Sequence, residues 1–174
     1  MSSDKPSIYC FDSSAFIIMH RYYPYLLMPA LWELLDNLVV AGRLISHEIV
    51  YSEIVPLKGE QDFLAKWFVD NRKIFITQSQ NQIDKVRDIL RNFPKLINPD
   101  YEKDQADPWL IASLNEIMEK QGLFGEDSSY CLVSMENTRS PQKLPAACIH
   151  YSIRHMTLFE FFADNNLKFN IVGQ

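Results

Sequence analysis

The hydrophobic pattern of this chain switches repeatedly between short continuous apolar runs and stripes spaced three and four residues apart. The run Ile8-Tyr9-Cys10-Phe11 predicts a buried strand over residues 7–11, followed by a helix from 13 to about 21. Tyr22, Tyr23, Pro24 and Tyr25 make a turn, and Leu31, Leu34, Leu35 and Leu38 share the face of a helix over 29–41 that stops at Gly42. A short strand is expected at 43–46, with Ser46 capping a helix that runs to Pro56. A further helix covers 60–71, and a strand at 73–77 sets Ile74 and Ile76 on one face. Ile83, Val86, Ile89, Leu90 and Phe93 mark a helix over 80–93, and a loop follows between Pro94 and Pro99. A helix from Asp107 to about Gln121 ends at Gly122, and Tyr130 to Val133 is a strand. Residues 147–151 and 154–156 read as later strands, and Thr157 caps a last helix through Ala163.

Strands separated by helices predict a single α/β domain over 1–174 whose mainly parallel sheet is covered on both faces, in three α/β/α layers. In such sheets ligands bind beyond the carboxyl ends of the strands.

Composition adds exclusions. No apolar stretch reaches the ~20 residues of a membrane span, and residues 1–6 have neither the basic flank nor the apolar core of a signal peptide. Cys10, Cys131 and Cys148 are spaced as neither a disulfide framework nor a zinc site, which fits reduced packing residues in a cytoplasmic protein. Five glycines supply no Walker loop or dinucleotide fingerprint, and there is no Gly-x-Ser-x-Gly elbow. His20, His47, His150 and His155 are scattered without metal-ligand spacing, which favours surface or packing roles. A net charge of −5 does not advertise nucleic-acid binding, although Arg139, Lys143, Arg154 and Lys168 outnumber Glu160 and Asp164 near the end of the chain and permit a phosphate-facing rim. The aromatics Tyr22, Tyr23 and Tyr25 suit either a partner or dimer contact or core packing.

The candidate chemistry lies in four carboxylates placed where buried elements give way to loops or helices: Asp12, Glu53, Asp107 and Glu136. Each has a plainer alternative. Asp12 suits a helix N-cap, Glu53 a boundary residue reaching solvent, Asp107 a cap before Pro108, and Glu136 an exposed turn acid. Glu53 shares a helical face with Ile49 and Val50, and no Lys or Arg lies three or four residues away. Asp104 is a further candidate, sharing a face with Asp107 if a helical turn begins there. Should the four acids meet, a hard divalent cation is the natural compensator, and oxygen-only ligands select Mg²⁺ or Mn²⁺.

Taken in order, these residues resemble the PIN-domain nucleases, a superfamily that includes the toxin ribonucleases of bacterial toxin–antitoxin pairs. The resemblance rests on Ile8-Tyr-Cys-Phe-Asp12-Ser13, Val50-Tyr-Ser-Glu53-Ile, Ala106-Asp107-Pro-Trp-Leu-Ile-Ala and Leu132-Val133-Ser134-Met135-Glu136. It departs at Ser134 and Glu136, where the pattern carries Thr and Asp. The stretch from Lys143 to Cys148 is similar to a branch close to those toxins. The resemblance implies a PIN-like fold and a metal-dependent endoribonuclease in which Asp12, Glu53, Asp107 and Glu136 bind one or two Mg²⁺ or Mn²⁺ ions. Ser13 and Ser134 would support them by hydrogen bonds to carboxylate or phosphate. RNA would be the substrate and a small antitoxin a partner. The alternatives are a regulatory or RNA-binding module without turnover, and a housekeeping nuclease for RNA maturation or DNA flaps.

Overall fold

A computed structural model describes residues 7–124, 128–136 and 139–167. The amino-terminal segment 1–6, Asn137, Thr138 and Lys168 lie outside them. Five strands form one all-parallel sheet in the order β3-β2-β1-β4-β5: β1 (Ser7–Phe11), β2 (Leu44–His47), β3 (Phe75–Ile76), β4 (Ser129–Val133) and β5 (Arg154–Met156). The helices are α1 (Ser13–Tyr22), α2 (Pro29–Val40), α3 (Glu48–Ile54), α4 (Phe63–Asp70), α5 (Gln80–Asn92), α6 (Ala106–Phe124), α7 (Leu144–His150) and α8 (Leu158–Asp164). The result is the expected three-layer α/β/α fold.

β1 lies between β2 and β4 and is covered on both faces, which is why its sequence is continuously apolar rather than alternating. Tyr9, Cys10 and Phe11 are all buried, and Phe11 packs on Phe16 of α1 and Phe161 of α8. From β1 the sheet grows outward through β2 to β3, then resumes on the other side with β4 and β5. The winding therefore reverses between β1 and β4, and the loops leaving these two strands splay apart there. A crevice at this point is the usual ligand position in such sheets.

Several boundaries differ from the sequence expectation. The expected strand at 147–151 is part of helix α7, because Pro145 starts a helix and burial follows helical spacing: Leu144, Ala147 and Cys148 are fully buried while Ile149 is 79% exposed. His47, not Ser46, caps α3; β2 continues through His47, and Ser46 Oγ instead donates to the Phe11 carbonyl (2.7 Å). α4 starts at Phe63 because Asp62 caps it, accepting from the Ala65 N–H (2.8 Å). Residues 72–74 form a 3₁₀ turn, leaving β3 two residues long, and another 3₁₀ turn occupies Pro94–Leu96 in the expected loop. Helix α6 runs on past Gly122, whose missing side chain faces open space. Thr157 caps α8 as expected, in a reciprocal box with Glu160.

Of the turn aromatics, Tyr25 stacks on Phe63 while remaining partly exposed. Tyr23 packs edge-on to Phe162 and its carbonyl accepts from the Trp32 indole (2.8 Å), whereas Tyr22, Leu26 and Leu27 face outward. No helix among the described residues is long and apolar enough to cross a membrane.

Candidate metal centre

Asp12 leaves the carboxyl end of β1 and caps α1, so its two sequence readings hold together. Its N–H donates to the Val133 carbonyl at the end of β4 (3.0 Å), which fixes it in the crevice. The side chain is 3% exposed and accepts from the Ser14 N–H (3.2 Å) and Ser14 Oγ (2.6 Å). Ser13 Oγ donates to the other oxygen at 3.3 Å. Ser14 Oγ in turn accepts from the Met135 N–H (3.0 Å), so one hydroxyl ties the first acid to the loop carrying Glu136.

Glu53 sits near the end of α3. Contrary to the buried stripe expected with Ile49 and Val50, the residue is exposed, and only its carboxylate head is tucked in. Oε1 accepts from the Ala106 N–H at 3.0 Å, and so Glu53 serves as an acceptor for the first turn of α6. Unpaired amides and the helix dipole make that end positive, which stabilises an anion by about 0.3–1 kcal/mol. Desolvation raises the Glu53 carboxyl above its usual range; hydrogen bonds from Ser13 and Ala106 oppose this, and the charge of Asp12 adds to it.

Asp107 lies inside the first turn of α6 rather than capping it, since the helix opens at Ala106. Its carboxyl is raised well above the ordinary range, first by desolvation and then by the charges of Asp12, Glu136 and Glu53. The charge of Lys143 acts the other way. The other three predicted acids thus lie near enough for their charges to act on Asp107. Glu136 acts from the loop after β4, its Oε2 accepting from the Leu144 N–H at the start of α7 (3.2 Å). Each acid leans on the amino end of a helix, α1, α6 or α7, which offsets part of the repulsion.

Asp104 lines the cleft beside Glu53 but does not pair with Asp107 on one helical face. α6 begins two residues after it, the shared helical face never forms, and Asp104 stays exposed on the loop. Ser134 is fully buried, but its hydroxyl meets His155 Nε2 (2.8 Å) and the Glu136 N–H (3.3 Å) instead of a carboxylate.

Softer ligands are turned elsewhere. Burial pushes the thiols of Cys10, Cys131 and Cys148 up, keeping them protonated. His47 uses both ring nitrogens: Nδ1 accepts from the Ile49 N–H (3.1 Å), leaving the proton on Nε2 for Gln82 Oε1 (3.3 Å). Among the described residues no three His, Cys, Asp or Glu side chains form a group that could grip an ion directly. The donor set that remains is carboxylate oxygen, and it fits a hydrated hard cation, since magnesium keeps several waters and takes only one or two direct carboxylates. A cleft of about 640 Å³ opens beside Glu53.

A family model matches residues 9–169. The chain belongs to the family described as Domain of unknown function (DUF4411). No curated protein matches it. The matched span of the DUF4411 domain contains all four acids.

Sequence reasoning missed Ser14, and missed His47 as the cap of the helix carrying Glu53. The first carried a faint signal, a hydroxyl two residues after a capping Asp; the second carried none. His47 also gives a pH prediction. Burial lowers its pKa below the ordinary 6.5, so the fold resists a proton that the unfolded chain accepts. Its contribution is complete above about pH 6.5 and is lost as pH falls from there through the lower folded value. The part of the melting temperature of metal-free protein that His47 supplies should be lost over that window, against the opposite pull of the raised Asp107 and Glu53 carboxyls. His47→Asn, which keeps a capping acceptor, should remove that part alone, leaving the parts due to His155, whose pKa is lowered in the same sense, and to the carboxyls. An equal slope in both proteins would contradict the assignment.

Proposed function

We propose that the protein is a divalent-metal-dependent endoribonuclease of PIN type, acting as the toxin of a toxin–antitoxin pair. The observation that carries this reading is where the fold sets the acids: Asp12 and Glu136 leave the carboxyl ends of β1 and β4 at the crevice, Glu53 accepts from the Ala106 amide, and Asp107 follows in the first turn of α6. Like charges held near one another are costly to keep unless a ligand uses them, and the order of the four acids is that of the PIN resemblance.

Asp12, Glu53, Asp107 and Glu136 would hold Mg²⁺ or Mn²⁺. When bound, such an ion supplies an acidified water and charge neutralisation at phosphate. The chain's own residues do the positioning. Ser13 and Ser14 fix the Asp12 carboxylate, the Ala106 and Leu144 amides aim Glu53 and Glu136, and Ser134 holds the Glu136 backbone. Lys143, whose charge reaches Asp107, is placed to draw a phosphodiester toward the acids. No covalent nucleophile is needed. The outward-facing Tyr22, Leu26 and Leu27 supply an apolar face suited to an antitoxin or a second copy, and the reading places the protein in the cytoplasm.

The test is cleavage of single-stranded and structured RNA by metal-stripped protein. Activity should return with Mn²⁺ or Mg²⁺, stay weak with Ca²⁺, whose larger shell fits the transition state poorly, and be absent in chelator. Asp12→Asn should be inactive while remaining folded. A module without turnover would cleave under none of these conditions. Full activity in excess chelator, or an Asp12→Asn protein within a few-fold of the natural chain, would overturn the proposal.

A further inference from the structure

Between the Pro94–Leu96 turn and α6 the chain forms a closed loop, residues 98–105, clamped by one side chain. Gln105 Oε1 accepts from the Asn98 N–H (2.8 Å), and Gln105 Nε2 donates to the Asn98 carbonyl (2.9 Å). Inside the loop, Asn98 Oδ1 accepts from the Asp100 N–H (3.1 Å), and the Tyr101 N–H donates to the Asn98 carbonyl (3.1 Å). Compact loops tied at their ends are frequently functional. These bonds hold the loop's backbone and offset part of the entropy of ordering it.

What it presents is an aromatic ring next to the acids. Tyr101 is 68% exposed, yet it lines both the cleft of about 640 Å³ shared with Glu53 and an adjoining one of about 260 Å³ reaching Trp109. Gln105 is followed at once by Ala106, whose N–H binds Glu53, so loop and acid centre are mechanically continuous. The loop's charges are three carboxylates, Asp100, Glu102 and Asp104, against the single ammonium of Lys103. Such a surface favours the uncharged base of a nucleotide over its phosphate. It suits a flat, neutral, π-faced group, and its carboxylates, which can only accept, match N–H donors at that group's edge.

We propose that this loop is a nucleobase subsite, in which Tyr101 stacks an unpaired base of the RNA strand and the carboxylates of Glu102 and Asp104 accept from the base's pairing edge. The inference rests on the ribonuclease reading and adds two things to it. The substrate is single-stranded next to the acid centre, as unstacked bases must be to meet an aromatic side chain. Guanine, whose adjacent N1–H and N2–H groups match the two oxygens of one carboxylate, is preferred over uracil.

The test is fluorescence anisotropy with a labelled short oligouridylate carrying one guanosine, moved stepwise along the strand, in Ca²⁺. Tyr101→Ala should weaken binding by about five- to hundredfold, the range of a lost base–aromatic stack. Tyr101→Phe should bind like the natural chain, and both variants should keep its Mn²⁺-induced rise in melting temperature. Replacing the guanosine by inosine should weaken binding, and Glu102→Gln with Asp104→Asn should erase that difference. If the natural chain binds and cleaves RNA but Tyr101→Ala binds equally well, the subsite is wrong and the ribonuclease reading stands. If Asp104→Asn abolishes the Mn²⁺-induced shift, Asp104 belongs to the metal centre and not to base recognition. If the natural chain neither binds nor cleaves any RNA tested, both readings fall.

Discussion

Asp107→Asn should make the metal-free protein more stable and at the same time inactive. The wild-type carboxyl is raised well above its ordinary 3.8 by burial and by three neighbouring carboxylates. The sign follows from linkage: a group whose folded pKa is raised contributes stability that is complete below the unfolded pKa and is lost as pH rises through the folded value. At pH values above its ordinary range the Asp107 carboxyl therefore costs the natural fold stability, and the amide removes that cost. The melting temperature should rise by at least roughly 2–4 °C, the shift that about 1 kcal/mol produces in a chain of this size. The gain should shrink as pH falls toward 3.8, where the wild-type group is protonated as well. Cleavage should drop more than about 100-fold, beyond what loss of an outer hydrogen-bonding partner costs a metal site. Melting curves across pH, paired with cleavage rates, check both halves. A less stable variant at neutral pH would mean that Asp107 is a structural cap and that the acids do not oppose one another.

Glu53→Gln is expected to separate a ligand from a boundary residue. The amide still has an oxygen to accept from the Ala106 N–H, so the start of α6 should survive the change. What it loses is the charge, which desolvation and Asp12 already make costly. Without metal the variant should melt at or slightly above the natural temperature. With Mn²⁺ its stabilisation should collapse, and cleavage with it. A Mn²⁺-induced shift equal to that of the natural chain would remove Glu53 from the site.

Much of this geometry was legible in the sequence because strand ends and helix starts are written locally. The run Ile8 to Phe11 and the capping Asp12 fix β1, the start of α1 and one side of the crevice; Tyr130 to Val133 does the same for β4 and Glu136. Residues 147–151 misled because a short apolar run has no period of its own, and Pro145 is what made it a helix. Glu53 could be singled out from its stripe but not understood, since its partner amide at Ala106 is 53 residues away. Ser14 escaped in part for the same reason, since its bond to the Met135 amide spans 121 residues, whereas His47 caps the amide two residues on through a ring nitrogen, a role that a histidine does not advertise in sequence.

Whether the four carboxylates form one divalent-cation site can be read from calorimetric titration of metal-free protein with Mn²⁺ at mildly acidic pH, in two buffers of different ionisation enthalpy. Binding should be saturable, with an apparent heat that differs between the buffers, because carboxyls held above their ordinary range give up protons on becoming ligands. The proton release should fade as pH rises and should be smaller in Asp107→Asn, leaving the share of Glu53. Absence of saturable binding, or binding that Asp12→Asn and Asp107→Asn leave unchanged, would contradict the four-carboxylate site.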